Sequence, residues 1–329
     1  MKNPNTHKNA NARALKKVNG TLTHNRKTST PKTANLNVPH LKSDARTMLY
    51  GNQDEVAQLI GKIEFKDQWI HVVKGSTWYQ WTGTYWHQDL KAGGFDTIRK
   101  GIRTAIKRMN SWVKQMLRNG GLSNKDQEEL ESDARKADFA KRAKHYISDI
   151  YALVSKDDDY TIAPGAFDAD PNHLGTPEGT VDLTIPDFIS ADPCHYISRQ
   201  TICAPAKGEP DRWLQFLDEI FAGDQGVIDF IQRLCGYALT GQTREEKLFF
   251  LYGSGANGKS KFLETLTYIW NNYATRIAPT TLLNKRFSDH STEIAKLAGA
   301  RLVLGSELPT GEIWDDQKLK ELTGGDTLT

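Results

Sequence analysis

No run of apolar residues in this sequence approaches the ~18–20 needed to cross a bilayer, and the N-terminus lacks the apolar core of a secretory signal. A cytoplasmic location with no membrane partner is therefore expected. Cysteine is scarce: Cys194, Cys203 and Cys235 are an odd number with no close CxxC pair, which excludes a disulfide framework and a standard zinc knuckle. Cys194, His195 and Cys203 lie near enough in sequence to share a metal, but no fourth ligand accompanies them, so the thiols read as reduced and structural. Acidic residues are missing from residues 1–43, which hold nine Lys or Arg. Subtracting those nine from the 43 bases of the chain leaves 34 against 40 acids, so the formal net charge of +3 originates at one end.

Large apolar side chains are also sparse up to about residue 45, where Asn, Thr and Lys predominate. Such a segment buries too little surface to offset its ordering entropy, and a disordered basic tail is expected over residues 1–47. It either attracts nucleic-acid phosphates through counterion release or is merely solvated, and both readings stay open.

The rest of the chain, with 38% hydrophobic residues overall, suffices for two domains. Over residues 49–89, Trp69, Trp78, Tyr79, Trp81, Tyr85 and Trp86 gather around glycine-bearing turns. Short antiparallel strands are predicted there, forming either a small aromatic core or a base-stacking platform for single strands. Residues 97–118 contain no acid, and Ile98, Ile102, Ile106, Met109, Val113, Met116 and Leu117 recur at helical spacing. The opposite face of that helix carries Arg99, Lys100, Arg103, Lys107, Arg108, Lys114 and Arg118, either for DNA backbone or an acidic partner, or as a solvated surface. A second helical pattern covers about 123–154. Lys156-Asp157-Asp158-Asp159 then reads as a turn rather than a carboxylate metal site, because successive side chains in a loop point apart. Residues 160–210 are loop and hairpin material, with a β-like run at 179–183. Asp211 is expected to cap a helix with Trp213, Phe216, Leu217, Ile220 and Phe221 on one face, and a further helix is expected over about 225–239.

The sharpest pattern is Gly253-Ser254-Gly255-Ala256-Asn257-Gly258-Lys259-Ser260, which satisfies GxxxxGK[ST], the phosphate-binding P-loop. Glycines let the backbone curl around phosphate and turn successive N–H groups toward it at a helix N-terminus. Lys259 is assigned to the β- and γ-phosphates of ATP and Ser260 to Mg²⁺. The context agrees: residues 248–252 form an apolar run expected as a strand, and Phe262, Leu263, Leu266, Ile269 and Trp270 follow at helical spacing. A P-loop also needs an acid at the end of a neighbouring strand, and Arg301-Leu302-Val303-Leu304-Gly305-Ser306-Glu307 supplies Glu307 as a candidate metal-holding or water-polarising residue.

Together with the ordered segments Gly175-Thr176-Pro177-Glu178-Gly179-Thr180-Val181-Asp182-Leu183, Gly236-Tyr237-Ala238-Leu239-Thr240-Gly241, Leu297-Ala298-Gly299-Ala300-Arg301 and Leu319-Lys320-Glu321-Leu322-Thr323-Gly324-Gly325-Asp326, these residues resemble the helicase portion of phage and plasmid primase-helicases. That family belongs to helicase superfamily 3 within the AAA+ ATPases. The resemblance implies an α/β P-loop AAA+ core over residues 206–329, preceded by a helical and β-containing domain over 48–205. It implies an ATP-hydrolysing DNA helicase of phage or plasmid replication, acting on single-stranded or forked DNA as a homo-oligomeric ring in a bacterial host, with ATP and Mg²⁺ as cofactors. In this comparison Asn257 matches the family's P-loop Asn, Glu307 matches the Walker B acid with Ser306 where many relatives have a second acid, and Lys318, Lys320 and Asp326 fall where relatives begin to face DNA. No primase centre is recognisable. Relatives continue beyond the position of Thr329 to a sensor residue and an arginine finger, so the core is expected to be incomplete; the alternative is a truncated prophage remnant that binds nucleotide, and DNA or a helicase subunit, without catalysis.

Overall fold

The computed structural model describes residues 43–253, 255–283, 296–305 and 313–324. Residues 1–42, most of the expected tail, lie outside them. Residues 43–47 were included in that tail but are helical, because Ala45, Met48 and Leu49 give α1 (Ser43–Tyr50) a buried face that packs on α3. α2 (Gln53–Glu64) starts at a capping box: Asn52 Oδ1 accepts from the Glu55 amide at 2.9 Å, and Glu55 Oε2 accepts from the Asn52 amide at 2.9 Å. Strands expected from residue 49 onward therefore begin only at Trp69.

From there the aromatic segment folds as its composition predicts. β1 (Trp69–Val72), β2 (Thr77–Trp81) and β3 (Trp86–Gln88) run antiparallel, and β4 (Thr161–Ile162) adds parallel to β1, giving the order β3-β2-β1-β4. Trp69, Trp78 and Trp86 are buried, and Phe65 meets the Trp78 ring edge-on with centroids 5.0 Å apart. These rings form a core, so the stacking-platform alternative fails for them: their faces are occupied by protein.

α3 (Gly93–Asn119) buries Ile98, Ile102, Ile106, Met109 and Val113 against α1, α2, α4 (Asn124–Lys141) and α5 (Lys144–Val154), as the spacing predicts. After α5, Asp157 Oδ1 accepts from the Asp159 amide at 2.9 Å, so the acidic run is a capped turn that leads buried Tyr160 into β4.

A meander of β5 (His173–Thr176), β6 (Gly179–Asp182) and β7 (Asp187–Ile189) forms the second sheet. Its tight turn is closed by the Thr176 hydroxyl donating to the Gly179 carbonyl at 2.8 Å. α6 (Asp211–Phe221) and α7 (Gln225–Leu239) match the two helices read from the sequence. The cap of α6 differs: Pro210 occupies it and Asp211 is already helical, whereas Asp224 caps α7 by accepting from the Val227 amide at 3.1 Å.

α8 (Lys259–Trp270) leads to β8 (Ala274–Ile277), which pairs parallel with β9 (Leu302–Gly305), and α9 (Asp316–Thr323) follows. Residues 248–252 differ from expectation: they enter no ladder among the described residues, and the Phe250 and Tyr252 side chains are exposed. Apolar, β-prone residues make a strand only where a neighbouring strand accepts their backbone groups, and none of the described strands does so here. The chain is thus mixed α/β with small sheets. Among the described residues, no helix is long and apolar enough to cross a membrane.

Candidate phosphate-binding loop

The turn between residue 252 and α8 is shaped by backbone conformations that favour glycine. Gly253 has φ +150°, and a Cβ there would overlap the Asn257 amide. Gly258 has φ +81° and occupies the N-cap of α8, where a Cβ would overlap Ile220 of α6 and touch Phe216. These contacts explain why the pattern needs glycine at its first and sixth positions: one admits the Asn257 side chain, the other seats the loop on α6. Gly255, by contrast, faces open space.

Lys259, the first residue of α8, turns its side chain back over the loop. Its Nζ donates to the Gly253 carbonyl at 3.0 Å and to Asn257 Oδ1 at 2.8 Å. Asn257 thereby holds the ammonium group from one side while filling the space above Gly253. Ser260 is exposed, and its hydroxyl makes no hydrogen bond among the described residues. The first turn of α8 has no side-chain cap and no acidic residue. The amides of that turn and the lysine bring positive charge to the loop, which suits an anion.

The packing beneath the loop fixes the direction of α8. Phe262 is buried and stacks on Trp213 of α6, with ring centroids 5.7 Å apart and planes at 17°, beside Leu217, Ile231 and Leu266. At the far end Trp270 and Tyr273 join Leu174 and Val181 of the meander. The Tyr273 hydroxyl donates to the Arg199 carbonyl at 3.0 Å and accepts from the Gly175 amide at 2.9 Å. Burial pushes its pKa up to about 12, so it is a neutral donor at any physiological pH.

Arg301 completes this junction. Its guanidinium lies over the Tyr273 ring, 4.6 Å from the centroid, and donates to the carbonyls of Leu239 at the end of α7 and of His173 in β5. Arg199 donates to the carbonyls of Asn272 and Ala298 in the same region. In the sequence Arg301 reads only as the start of a strand; nothing local marks an arginine whose acceptors lie 62 and 128 residues away.

The structure brings together Gly253, Gly255, Ala256, Asn257, Gly258, Lys259 and Ser260 of the predicted site. Ser254, Ser306, Glu307 and Asp326 lie outside the described residues; β9 ends at Gly305, immediately before Ser306. Lys318 donates its backbone amide to the Asp315 cap of α9 at 3.0 Å, and Lys320 is exposed on the same helix. Among the described residues, no group of three or more His, Cys, Asp or Glu side chains is placed to hold a metal ion.

Residues 59–222 match the family profile described as D5 N terminal like. The matched region runs from within α2 to just past α6, the helix on which Gly258 is seated. Over 108 residues the chain is 34% identical to a putative helicase of Acanthamoeba polyphaga mimivirus. The aligned segment is 32% of this chain and 11% of that protein, so the chain spans only about a tenth of the relative's length.

Proposed function

We propose that this chain binds MgATP at residues 253–260 and serves as part of an ATP-dependent DNA helicase of the replication primase-helicase type, working on single-stranded or forked DNA as a homo-oligomeric ring. The observation that carries the reading is the placement of Lys259: an ammonium group folded over a glycine-shaped loop at the uncapped start of a helix, within hydrogen-bond distance of the Gly253 carbonyl and Asn257 Oδ1. These two acceptors are neutral, and a charged phosphate oxygen makes a stronger hydrogen bond to the same donor than either of them. The D5 N terminal like match and the helicase-named relative support the wider assignment.

In this reading Lys259 leaves Gly253 and Asn257 to neutralise the β- and γ-phosphates, and the loop amides hold the phosphate oxygens. The free hydroxyl of Ser260 fits a Mg²⁺ ligand, since it has no competing partner among the described residues. Bound Mg²⁺ supplies charge neutralisation of the phosphates. Glu307, two residues beyond the end of β9, is the proposed acid that helps hold the metal and orients the attacking water.

The assignment is tested by phosphate release from MgATP with and without single-stranded DNA, alongside strand displacement of a forked duplex. The proposal expects DNA-stimulated release and Mg²⁺-dependent displacement. Nucleotide binding with neither of these would retain the site and remove the helicase assignment.

A further inference from the structure

The exposed face of α3 carries charge that the fold does not use. Among the seven bases of this helix, Arg99 and Lys100 close onto Asp96, its single acid. Arg103, Lys107, Arg108, Lys114 and Arg118 are all exposed and make no ion pair among the described residues. Several acids of the neighbouring helices are engaged elsewhere, and Glu64, Glu128 and Glu129 make no ion pair with α3 among the described residues. On α4, Glu131 pairs with Arg135, Asp133 with Lys136, and Asp138 with Arg142 and Asn110. On α5, Asp149 accepts from Gln53.

Geometry arranges four of these five cations as a track. At about 100° per residue, Arg103, Lys107, Lys114 and Arg118 fall within an arc of roughly 60°, centred about 130° round the helix from the buried stripe of Ile98, Ile102, Ile106, Met109 and Val113, and they extend over about 22 Å of helix, with Arg108 about 80° to the side. Thr104, Ser111 and Gln115 complete the exposed surface. None of the exposed large hydrophobic side chains of the described residues belongs to α3.

We infer that this face of α3 is a nucleic-acid backbone track, which holds DNA through its phosphates without reading its sequence. The inference rests on DNA being the substrate in the function proposed above. The surface chemistry selects the occupant. A protein partner is met by an interface with an apolar or aromatic centre, and an anionic membrane by an amphipathic helix that inserts its apolar face. α3 offers neither, because its apolar face is spent on the core and its outer face is cationic and polar throughout. A line of cations with short polar residues between them matches a row of phosphates.

The test uses the full chain and a mixed-sequence labelled single strand, with affinity measured across a salt series. A variant carrying Arg103→Gln, Lys107→Gln and Lys114→Gln is compared with one carrying Lys125→Gln, Arg135→Gln and Lys136→Gln on α4. Both lose the same charge, and the basic N-terminal residues are common to both. The α3 variant is expected to bind at least about tenfold more weakly at low salt, with the slope of log K against log salt reduced by about 2 in magnitude, whereas the α4 variant changes by less than about twofold. The loss should be the same for a second, unrelated strand sequence. If the triple α3 variant melts early, the single Lys114→Gln change keeps the test open, with an expected slope reduction of about 0.7. An unchanged slope in the α3 variants, or an equal loss in the α4 variant, overturns the inference and leaves DNA as substrate. An unmodified chain that does not bind DNA overturns both.

Discussion

Replacing Lys259 with alanine raises the dissociation constant for MgATP by about 30-fold or more, the equivalent of roughly 2 kcal/mol for a charge-assisted contact to phosphate. The fold should tolerate the change. Lys259 is partly exposed, and the Gly253 carbonyl and Asn257 Oδ1, which accept from it, are in a loop open to water. The expected pattern is lost binding of a fluorescent ATP analogue with an unchanged unfolding midpoint. Arginine in place of Lys259 keeps the charge but demands a planar fork of donors, so it should not restore affinity. Equal affinity in wild type and Lys259→Ala would remove the lysine from the site.

Arg301→Leu produces the largest loss of stability, about 2–4 kcal/mol. The leucine fills much of the volume over the Tyr273 ring but leaves the carbonyls of Leu239 and His173 each short of a donor, at about 1–2 kcal/mol apiece. Arg301→Lys retains the charge and one donor direction, so it should fall between the two. Denaturant unfolding followed by near-ultraviolet circular dichroism reads the difference. The junction joins α7, the meander and the entry to β9, the strand that leads to Ser306 and Glu307. A change below about 0.5 kcal/mol would mean that these elements are held together without the guanidinium.

The legible and illegible parts of the chain divide along the range of their interactions. α3, α7 and α8 were readable because helix bonds are local and their apolar faces repeat at i, i+3 and i+4. The glycine-shaped turn that enters α8 has the same local character: Gly253, Asn257 and Lys259 contact one another within seven residues. α2 was missed although Asn52 and Glu55 form a capping box, because the aromatic density that follows made the whole segment read as strand. Residues 248–252 show the opposite error. Their composition suits a strand, but a strand depends on a partner, and sequence carries no local sign of one. Arg301, Tyr273 and Arg199 lie at the extreme, since each is placed by acceptors or donors that other elements bring to it.

Whether residues 253–260 are the phosphate site is tested most directly by amide hydrogen exchange of the whole chain with and without MgATP. Slowed exchange is predicted in the loop and the first turn of α8, with little change in the aromatic sheet of β1 to β3. MgATP binding that leaves residues 253–262 unprotected, or protects only another region, would contradict the account.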